Sequence, residues 1–369
     1  MQHIFNDHFY MAEALRLARK GEYSVRINPR VGCVIVKNEK IIGSGYHVGY
    51  GQSHAEVNAL DSVKESAEGA TVYVTLEPCA HQGNTPPCVE ALIHSKVARI
   101  VAATEDPNPL VNGKGLKILQ EHGIEISCNV LKKEAQELNK GFFKRITTHF
   151  PYITTKSAIS LDGKTALASG ESMWITGEEA RYDAHKLRAR SCAILTGVGT
   201  VVADDPQLTS RLSEDDSKGL VQPIKVILDS KLRIPLTANA LHLTSNVIIY
   251  TLSQDEDKLR ALQKENIEVL QVEEFKGHVN IEMVMRDLAN RGINEVLIEA
   301  GPTLTGNLLE NSLVDEMIIY LAPQLLGCSD FGLANIYSIT SMQDRIDLEI
   351  TENKMIGRDI KLTAKPKFN

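Results

Sequence analysis

Short apolar segments that alternate with helix-like segments constrain the fold of this chain more than any other feature. In the first half, strand-like runs occupy residues 31–36, 71–76, 99–103 and 124–128. Helix-like segments in the same half occupy residues 7–19, 54–60, 88–94 and 116–121. The second half also alternates, with strands at 152–155, 192–195, 225–228, 247–250 and 295–298, and helices at 178–189, 281–290 and 304–310. This pattern predicts an α/β layer architecture, because the helices cover the faces of the sheet whose strands they connect.

A chain of 369 residues is long enough to form two domains. A connecting helix is predicted over residues 132–143, Pro151 follows it, and the strand pattern restarts at Tyr152. We therefore place the boundary between residues 145 and 151 and predict one domain at 1–146 and a second at 151–369.

Charge and cysteine usage argue against several classes of protein. The formal net charge is −7 and the pI is about 5.9, which does not suit non-specific binding of DNA or RNA. No apolar run reaches the roughly 18 residues that a membrane span needs, and the N-terminus lacks the pattern of a signal peptide. Six cysteines in a chain of this length do not indicate a disulfide framework, so a reducing cytoplasm is expected.

The segment His54-Ala55-Glu56, followed by Pro78-Cys79 and then Cys88, supplies ligands for a metal ion. Zinc binds imidazole and thiolate groups in a tetrahedron, and a catalytic site leaves the fourth position to water. Bound zinc lowers the pKa of that water, and a carboxylate beside it can move the proton. Residues of these types in this order are typical of zinc-dependent nucleobase deaminases. The sequence therefore predicts zinc ligands at His54, Cys79 and Cys88, with Glu56 as the catalytic group.

Two other interpretations of this segment stay open from the residues alone. A structural zinc site has four protein ligands, and His81, between the two cysteines, is a candidate for the fourth. A cytidine-type deaminase joined to an unrelated reductase would carry a similar motif. The generic pattern places two residues between its cysteines, whereas eight separate Cys79 from Cys88 here. We predict that this longer loop contacts the substrate.

Two glycine-containing turns that follow strands in the second half are candidate phosphate sites. One spans residues 300–306 and opens a helix, and the other spans 195–200. Backbone N–H groups at a helix start attract phosphate, but neither turn has the GxGxxG pattern of dinucleotide-binding domains. Trp174, the only tryptophan, is either a stacking surface or a partly buried anchor. Arg188 and Arg211 are candidate phosphate ligands.

Short motifs spread over the chain occur together in a family-specific order. In the first half they lie at residues 28–32, 45–47, 54–56, 76–79, 85–88 and 106–109. In the second half they lie at residues 156–163, 170–172, 174–176, 200–211 and 299–303. On these motifs, the chain resembles the bifunctional pyrimidine deaminase/reductase family of riboflavin biosynthesis along nearly its whole length.

The resemblance implies a two-step enzyme with a cytidine-deaminase-like three-layer αβα domain and a dihydrofolate-reductase-like α/β domain. The first domain would use zinc to deaminate 2,5-diamino-6-ribosylamino-4(3H)-pyrimidinone 5′-phosphate by hydrolysis. The second would use NADPH to reduce the ribosyl group of the product, giving 5-amino-6-ribitylamino-uracil 5′-phosphate. Family members form dimers or tetramers, so a homo-oligomer is expected.

The resemblance also implies contact residues, each carried over from a matching motif. Substrate contacts in the deaminase domain fall on Asn28, His47, Asp106 and Asn108. Cofactor contacts fall on Ala158, Trp174, Thr200, Asp204, Ser230, Gly301, Pro302, Thr303, Leu304, Thr305, Gly306 and Asn307. Substrate contacts in the reductase domain fall on Lys156, Ser172, Arg188, Leu208, Arg211 and Glu299.

One position departs from the family pattern. Family members often carry Lys or Arg in the loop before Cys88, where this chain has Asn84. A cation there would suit the substrate phosphate, whereas an amide gives a neutral hydrogen bond about half as strong. We expect His81 or His47 to compensate, or the deaminase to bind its substrate more weakly.

Overall fold

The computed structural model describes residues 2–80, 86–109, 111–242 and 245–368, with side chains in the first helix from Asn6 onward. Asn84 and His81 lie outside the described residues. The chain divides into two compact units, residues 1–149 with 219–221, and residues 150–218 with 222–369. None of the described helices is long and apolar enough to cross a membrane.

The first unit is built on a five-stranded sheet. Its strands are β1 (Gly32–Lys37), β2 (Lys40–Tyr46), β3 (Thr71–Val74), β4 (Arg99–Ala102) and β5 (Glu125–Cys128), in the order β2-β1-β3-β4-β5. Strand β1 is antiparallel to both neighbours, and β3, β4 and β5 are parallel. Its helices are α1 (Gln2–Ala18), α2 (Ala55–Asp61), α3 (Cys88–His94), α4 (Lys114–Glu121), α5 (Lys132–Leu138) and α6 (Lys140–Thr148).

Helices cover both faces of this sheet, because successive strand residues point to opposite sides. On one face, Cys33 and Ile35 of β1 pack with apolar residues of α2, α3 and α4. On the other face, Val34 and Val36 pack with α1 and with Ala135 of α5. The first unit is therefore a three-layer αβα structure.

The single connecting helix predicted over residues 132–143 is wrong, since two helices meet at Asn139. The Asn139 side chain is buried and bonds both backbone groups of Arg30, accepting from its N–H (2.8 Å) and donating to its carbonyl (2.9 Å). An asparagine side chain that bonds backbone groups competes with regular helical hydrogen bonding. The backbone groups that Asn139 bonds belong to Arg30, more than one hundred residues earlier, so the sequence around Asn139 does not reveal the break.

The second unit is built on a nine-stranded sheet. Its strands are β6 (Tyr152–Ser160), β7 (Ala193–Gly197), β8 (Ile224–Leu228), β9 (Val247–Thr251), β10 (Ile267–Gln271), β13 (Glu295–Ile298), β14 (Glu316–Ala322), β15 (Asp347–Ile356) and β16 (Asp359–Lys367). Strands β11 (Glu274–Phe275) and β12 (His278–Val279) form a separate hairpin. The helices are α7 (Glu178–Arg190), α8 (Val198–Asp204), α9 (Glu256–Leu262), α10 (Ile281–Asn290) and α11 (Pro302–Glu310).

The order of the large sheet is β10-β9-β8-β7-β13-β6-β14-β16-β15. Strands from β10 to β14 run parallel, and β16 and β15 add an antiparallel hairpin at the edge. In open parallel sheets, ligands bind at the carboxyl ends of the strands. Here that edge carries the ends of β6, β7 and β13, where the predicted reductase residues are concentrated.

Candidate active sites

The predicted zinc ligands converge in the first unit. His54 is the residue that precedes α2, Cys79 lies in the loop after β3, and Cys88 is the first residue of α3. His54 Nδ1 is 3.1 Å from Cys88 Sγ and 3.4 Å from Cys79 Sγ, and the two sulfurs are 3.4 Å apart. Three segments of the chain therefore bring one nitrogen and two sulfurs within 4.8 Å of one another.

These three atoms fit zinc. With ordinary Zn–S and Zn–N bond lengths, a tetrahedral ion separates its ligand atoms by about 3.6 to 3.8 Å. The observed separations are slightly shorter, and small side-chain rotations would open them. The donor set of one imidazole and two thiols is also one that zinc prefers. His54, Cys79 and Cys88 are thus able to hold the ion without rearrangement of the backbone.

The local electrostatics favour a thiolate at Cys79. The hydrogen bond between the Cys79 and Cys88 sulfurs, supported by His54 and by the Cys88 backbone N–H at 3.3 Å, lowers the pKa of Cys79 well below its ordinary value. A thiolate rather than a thiol is the form that binds metal.

Glu56 lies in the first turn of α2 and is 3% exposed. Burial is the largest cause that raises the pKa of its carboxyl to about 7, and the nearby Cys79 adds to it. Its side chain also interacts with Cys88. Glu56 is therefore a buried carboxyl beside the candidate metal-binding atoms.

Asn28 and His47 form a second pair in the same unit. His47 Nδ1 lies 3.1 Å from the Ser53 carbonyl, and His47 Nε2 lies 3.0 Å from Asn28 Nδ2. The carbonyl only accepts, so Nδ1 carries the proton and Nε2 accepts from the Asn28 amide. Burial lowers the pKa of His47, which keeps the ring neutral. The His47 and His54 rings meet edge to face with centroids 5.6 Å apart, so this pair adjoins the predicted metal ligands.

Asp106 and Asn108 lie together in the loop after β4. The Asn108 backbone N–H donates to the Asp106 carboxylate at 2.8 Å, and the Asn112 amide donates to the Asp106 carbonyl at 2.9 Å. The Asp106 backbone N–H in turn donates to the Glu77 carboxylate at 3.1 Å. Glu77 was not singled out from the sequence, because its partners lie about thirty to forty residues further along the chain.

In the second unit, three predicted residues from α7, the middle of β6 and the carboxyl end of β13 form a charged cluster. Arg188 of α7 makes a bidentate ion pair with Glu299, at 2.6 and 2.7 Å. Lys156 Nζ lies 3.9 Å from the same carboxylate. The strand register pairs Ile298 of β13 with Thr155 of β6. The next residues along the two strands, Glu299 and Lys156, are therefore neighbours.

Burial and counter-charge act in opposite directions within this cluster. Burial alone would raise the pKa of Glu299, but Arg188 and Lys156 outweigh it and lower the pKa to about 2. Burial lowers the pKa of Lys156, and Glu299 partly offsets that effect. The cluster therefore holds an ionised carboxylate, a guanidinium and a lysine whose proton is easier to remove than usual.

Arg211 lies next to a histidine that the sequence did not suggest. Its backbone N–H is 3.2 Å from His185 Nδ1, and its guanidinium is 3.3 Å from His185 Nε2. Burial, followed by the charges of Arg188 and Arg211, lowers the pKa of His185 to about 4. His185 precedes Arg188 by three residues on α7, so the two side chains lie on the same face of the helix. This spacing was the only feature of the sequence that could have placed His185 near the predicted site.

The predicted cofactor residues occupy several segments of the second unit. Ser172 and Asp204 share a hydrogen bond, and the Arg181 guanidinium lies 4.6 Å from the centre of the exposed Trp174 ring. Ala158 is half-buried on β6, Thr200 is half-buried on α8, and the Ser230 hydroxyl accepts from the Val279 N–H at 3.2 Å.

The turn at Gly301 suits a phosphate group. Gly301 is extended and exposed, and a side chain built there would meet nothing within 4 Å. The first N–H groups of a helix have no partner within the helix, and in α11 these belong to Thr303 and Leu304 because Pro302 has no N–H. Anions bind at such helix starts, so the described residues fit a cofactor pyrophosphate.

Some predicted contact residues have side chains that face the protein interior. Leu208 is 2% exposed and belongs to a core cluster, so its side chain is not available to a substrate. Thr305 and Gly306 are buried, and Leu304 packs against the core. A side-chain carbon on Gly306 would lie 1.8 Å from the Asn335 carbonyl, so helix packing alone requires glycine there. Asn307 is exposed.

Known proteins resemble both units. A family model described as the RibD C-terminal domain matches residues 151–362. Another, described as the cytidine and deoxycytidylate deaminase zinc-binding region, matches residues 5–104. The riboflavin biosynthesis protein RibD of Escherichia coli is 46% identical over 362 residues, which cover 96% of this chain and 98% of that protein. The chain belongs to the RibD family.

Other RibD proteins support this assignment. RibD of Bacillus amyloliquefaciens is 44% identical over 367 residues, covering 98% of this chain and 96% of that protein. The solved structure of Acinetobacter baumannii RibD superposes with a TM-score of 0.91 at 42% identity, covering 99% of this chain and 100% of that one. A diaminohydroxyphosphoribosylaminopyrimidine deaminase/5-amino-6-(5-phosphoribosylamino)uracil reductase from Thermotoga maritima superposes with a TM-score of 0.88 at 32% identity, with coverage of 99% and 100%.

As a RibD family member, the chain is a bifunctional deaminase and reductase of riboflavin biosynthesis. Its first domain is a zinc-binding deaminase, and its second is a reductase of the NADPH-binding kind. The predicted fold class, activities and cofactors are thereby confirmed.

Proposed function

We propose that the two sites act in turn on one phosphorylated pyrimidine. The first site hydrolyses the 2-amino group of 2,5-diamino-6-ribosylamino-4(3H)-pyrimidinone 5′-phosphate, so that water enters and ammonia leaves. The second site reduces the ribosyl group of that product to ribityl. The observation that carries the first step is the buried carboxyl of Glu56 beside the His54, Cys79 and Cys88 cluster. The name of the Thermotoga maritima relative, which specifies these two activities, supports the choice of substrate.

In this proposal His54, Cys79 and Cys88 hold zinc. When bound, zinc lowers the pKa of a water molecule toward neutrality. Glu56 takes a proton at its carboxylate and delivers it to the departing amino group. Asn28, hydrogen-bonded to neutral His47, orients the pyrimidine, and Asp106 and Asn108 contact it from the loop after β4.

Glu56→Gln is the test of the deaminase mechanism. We expect ammonia release to fall at least about 100-fold, because proton transfer by a positioned group contributes that much, while the zinc content stays unchanged. Glu90→Gln, at an exposed position in the first turn of α3, is the matched control and keeps wild-type activity. Equal ammonia release by Glu56→Gln and wild type would remove Glu56 from the mechanism. No release by zinc-loaded wild type would favour a structural zinc instead.

In the reductase site we propose that Arg188, Arg211 and Glu299 bind the substrate with Ser172 and the backbone of Leu208. NADPH, when bound, supplies the hydride. Lys156 lies beside Glu299 and supplies positive charge or a proton at the oxygen that becomes a hydroxyl. We assign cofactor binding to Ala158, Trp174, Thr200, Asp204, Ser230 and the turn Gly301, Pro302, Thr303, Leu304, Thr305, Gly306 and Asn307.

Lys156→Ala tests the role of that lysine. We expect the rate of NADPH oxidation on the deaminated product to fall about 100-fold or more, since acid–base catalysis contributes at this level, with deamination unchanged. Lys264→Ala, at an exposed lysine of the same domain, should match wild type. Unchanged turnover in Lys156→Ala would refute the assignment.

We also propose that the chain is a homo-oligomer located in the cytoplasm, with domain limits at residues 1–146 and 151–369. Strand β15 supports the first point, because it is exposed along nearly its whole length at the edge of the large sheet. Leu348, Ile350 and Met355 are 43%, 58% and 60% exposed on this strand. An exposed edge strand with apolar side chains is a site for pairing with another chain. The free cysteines support a reducing compartment.

A further inference from the structure

Glu77 is a buried carboxylate that the proposed mechanism does not use. It is 4% exposed and lies two residues before the predicted ligand Cys79. Its Oε2 accepts from the backbone N–H groups of Asp106 (3.1 Å) and Gly113 (2.9 Å), and its Oε1 from those of Gly115 (2.9 Å) and Leu116 (3.4 Å). One side chain therefore binds four backbone donors from a single region of the chain.

These bonds join the metal-binding segment to the loop after β4 and to the start of α4. Helix α4 begins after Gly113, which has no side chain to cap it. The Glu77 carboxylate accepts from the backbone N–H groups at this helix start instead. A negative charge at a helix start is favourable because of the helix dipole. A side-chain carbon on Gly115 would lie 2.0 Å from the Pro78 carbonyl, so α4 rests directly on the residue before Cys79.

The same geometry excludes Glu77 as a proton carrier. A carboxylate has about four acceptor positions, and four backbone N–H groups occupy them here. Among the described residues its hydrogen-bond donors are backbone amides, which do not release protons at ordinary pH. Glu56, by contrast, interacts with Cys88 at the metal cluster.

We infer that Glu77 is a positioning residue of the deaminase. By anchoring the loop of Asp106 and Asn108 to the segment that carries Cys79, it sets the distance between substrate contacts and metal ligands. Within the described part of this loop, the Asn108 N–H and the Asn112 amide both donate to Asp106 and brace the loop around that residue. This inference rests on the proposed substrate contacts of Asp106 and Asn108.

Glu77→Gln is the variant that tests it. The amide keeps the shape of the side chain but turns an NH₂ group toward backbone N–H donors, so at least two bonds are lost. We expect KM for deamination to rise about tenfold or more, as for loss of hydrogen bonds to a charged group. We expect kcat to stay within about threefold and the zinc content to stay full, because the metal ligands are untouched. Glu105→Gln, at the exposed neighbour of Asp106, is the matched control and should leave both constants unchanged.

Hydrogen exchange gives a second measurement. The amides of Asp106, Gly113 and Gly115 should exchange slowly in wild type and at least about tenfold faster in Glu77→Gln, since each loses a buried acceptor. An unchanged KM, or zinc loss with an unchanged KM, would overturn the inference.

Two further variants separate this inference from the proposed substrate contacts. Asn112→Ala removes a brace of the same loop at a surface position, and we expect it to raise KM about threefold even if Glu77→Gln does not fold. An unchanged KM in Asn112→Ala would then contradict the inference. Asn108→Ala tests the contact itself. If it raises KM while Glu77→Gln and Asn112→Ala do not, the positioning role fails and the substrate contact stands.

Discussion

Single residues in the two sites show how counter-charge decides the state of a buried carboxyl. Burial raises the pKa of Glu56 to about 7. Glu299 is also buried, yet Arg188 and Lys156 lower its pKa to about 2. The difference suits the proposed roles, since a proton carrier must gain and lose a proton near neutral pH. A binding group that holds an arginine in place must instead stay ionised.

We expect Glu299→Gln to destabilise the second domain. Arg188 would lose its bidentate partner while still buried, at a cost of about 3 kcal/mol in the free energy of unfolding. Because the pKa of Glu299 lies below its ordinary value of 4.5, the ionised form stabilises the fold at neutral pH. That contribution is lost as the pH falls from about 4.5 to about 2, so wild type should lose it in this window and the variant should not.

Urea unfolding followed by the fluorescence of Trp174 provides the measurement, because the only tryptophan lies in this domain. Glu265→Gln, at an exposed position, is the control. Equal unfolding free energies for Glu299→Gln and wild type at pH 7 would contradict the expectation.

Residue types alone indicated the candidate metal site, because zinc chemistry needs particular side chains at a characteristic spacing. His54, Cys79 and Cys88 could be identified before their convergence was seen. Glu77 and His185 could not be identified in the same way. The backbone N–H groups that Glu77 binds leave no pattern in the sequence, and the unusual pKa of His185 depends on its burial and on Arg188 and Arg211, which only the fold places beside it.

At the level of helices and strands, two glycines bring helices of the deaminase domain close to its sheet. A side-chain carbon on Gly32 would lie 2.0 Å from the Ala14 carbonyl of α1. One on Gly45 would lie 2.4 Å from the Ala59 nitrogen and 2.7 Å from the Ala55 carbonyl of α2. Helix α2 carries Glu56 and follows His54, so the distance between α2 and β2 helps to set the positions of both side chains at the candidate metal site.

We expect Gly45→Ala to lower zinc affinity by about tenfold or more, because a methyl group would push the α2 backbone and His54 away from the two cysteines. Zinc retention against a competing chelator measures this effect, with deamination as a second assay. Gly49→Ala is the matched control, since the nearest atom to its new methyl group is 3.8 Å away. Wild-type zinc retention in Gly45→Ala would show that α2 tolerates the displacement.

The sequence pattern located most helices and strands but not their limits or their partners. The strand predicted at 152–155 extends to Ser160 as β6, which is why Lys156 and Ala158 lie on a strand. Residues 195–200 were predicted to form a glycine turn, but helix α8 begins at Val198 although Gly199 and Thr200 are weak helix formers. Strands β14, β15 and β16 were not predicted, since their place depends on pairing with β6 and with one another.

At the level of the whole molecule, the edge of the nine-stranded sheet is the feature that bears on assembly. Strand β15 pairs only with β16 among the described strands, and its outer backbone groups face away from the sheet. Long, unprotected edge strands promote association, and natural proteins usually shield them. A second copy of this chain that covers β15 would provide that shield.

We expect wild type to be at least a dimer and Ile350→Lys to be a monomer, because a charge at the centre of β15 opposes close pairing. Light scattering coupled to gel filtration measures the mass. Leu236→Lys, at a residue that is 45% exposed elsewhere in the same domain, is the control. A monomeric wild type, or a dimeric Ile350→Lys, would contradict this arrangement.

The order of strands in the large sheet also has a consequence for synthesis on the ribosome. Strand β6 lies between β13 and β14, so that Tyr152 pairs with Glu295 and Thr154 with Glu316. At translation rates of about 5–20 residues per second, β6 waits on the order of ten seconds for these partners to emerge. The zinc ligands, in contrast, all lie before residue 90. The strands and helices of the deaminase unit, which end at Thr148, are therefore all synthesised before the partners of β6 emerge.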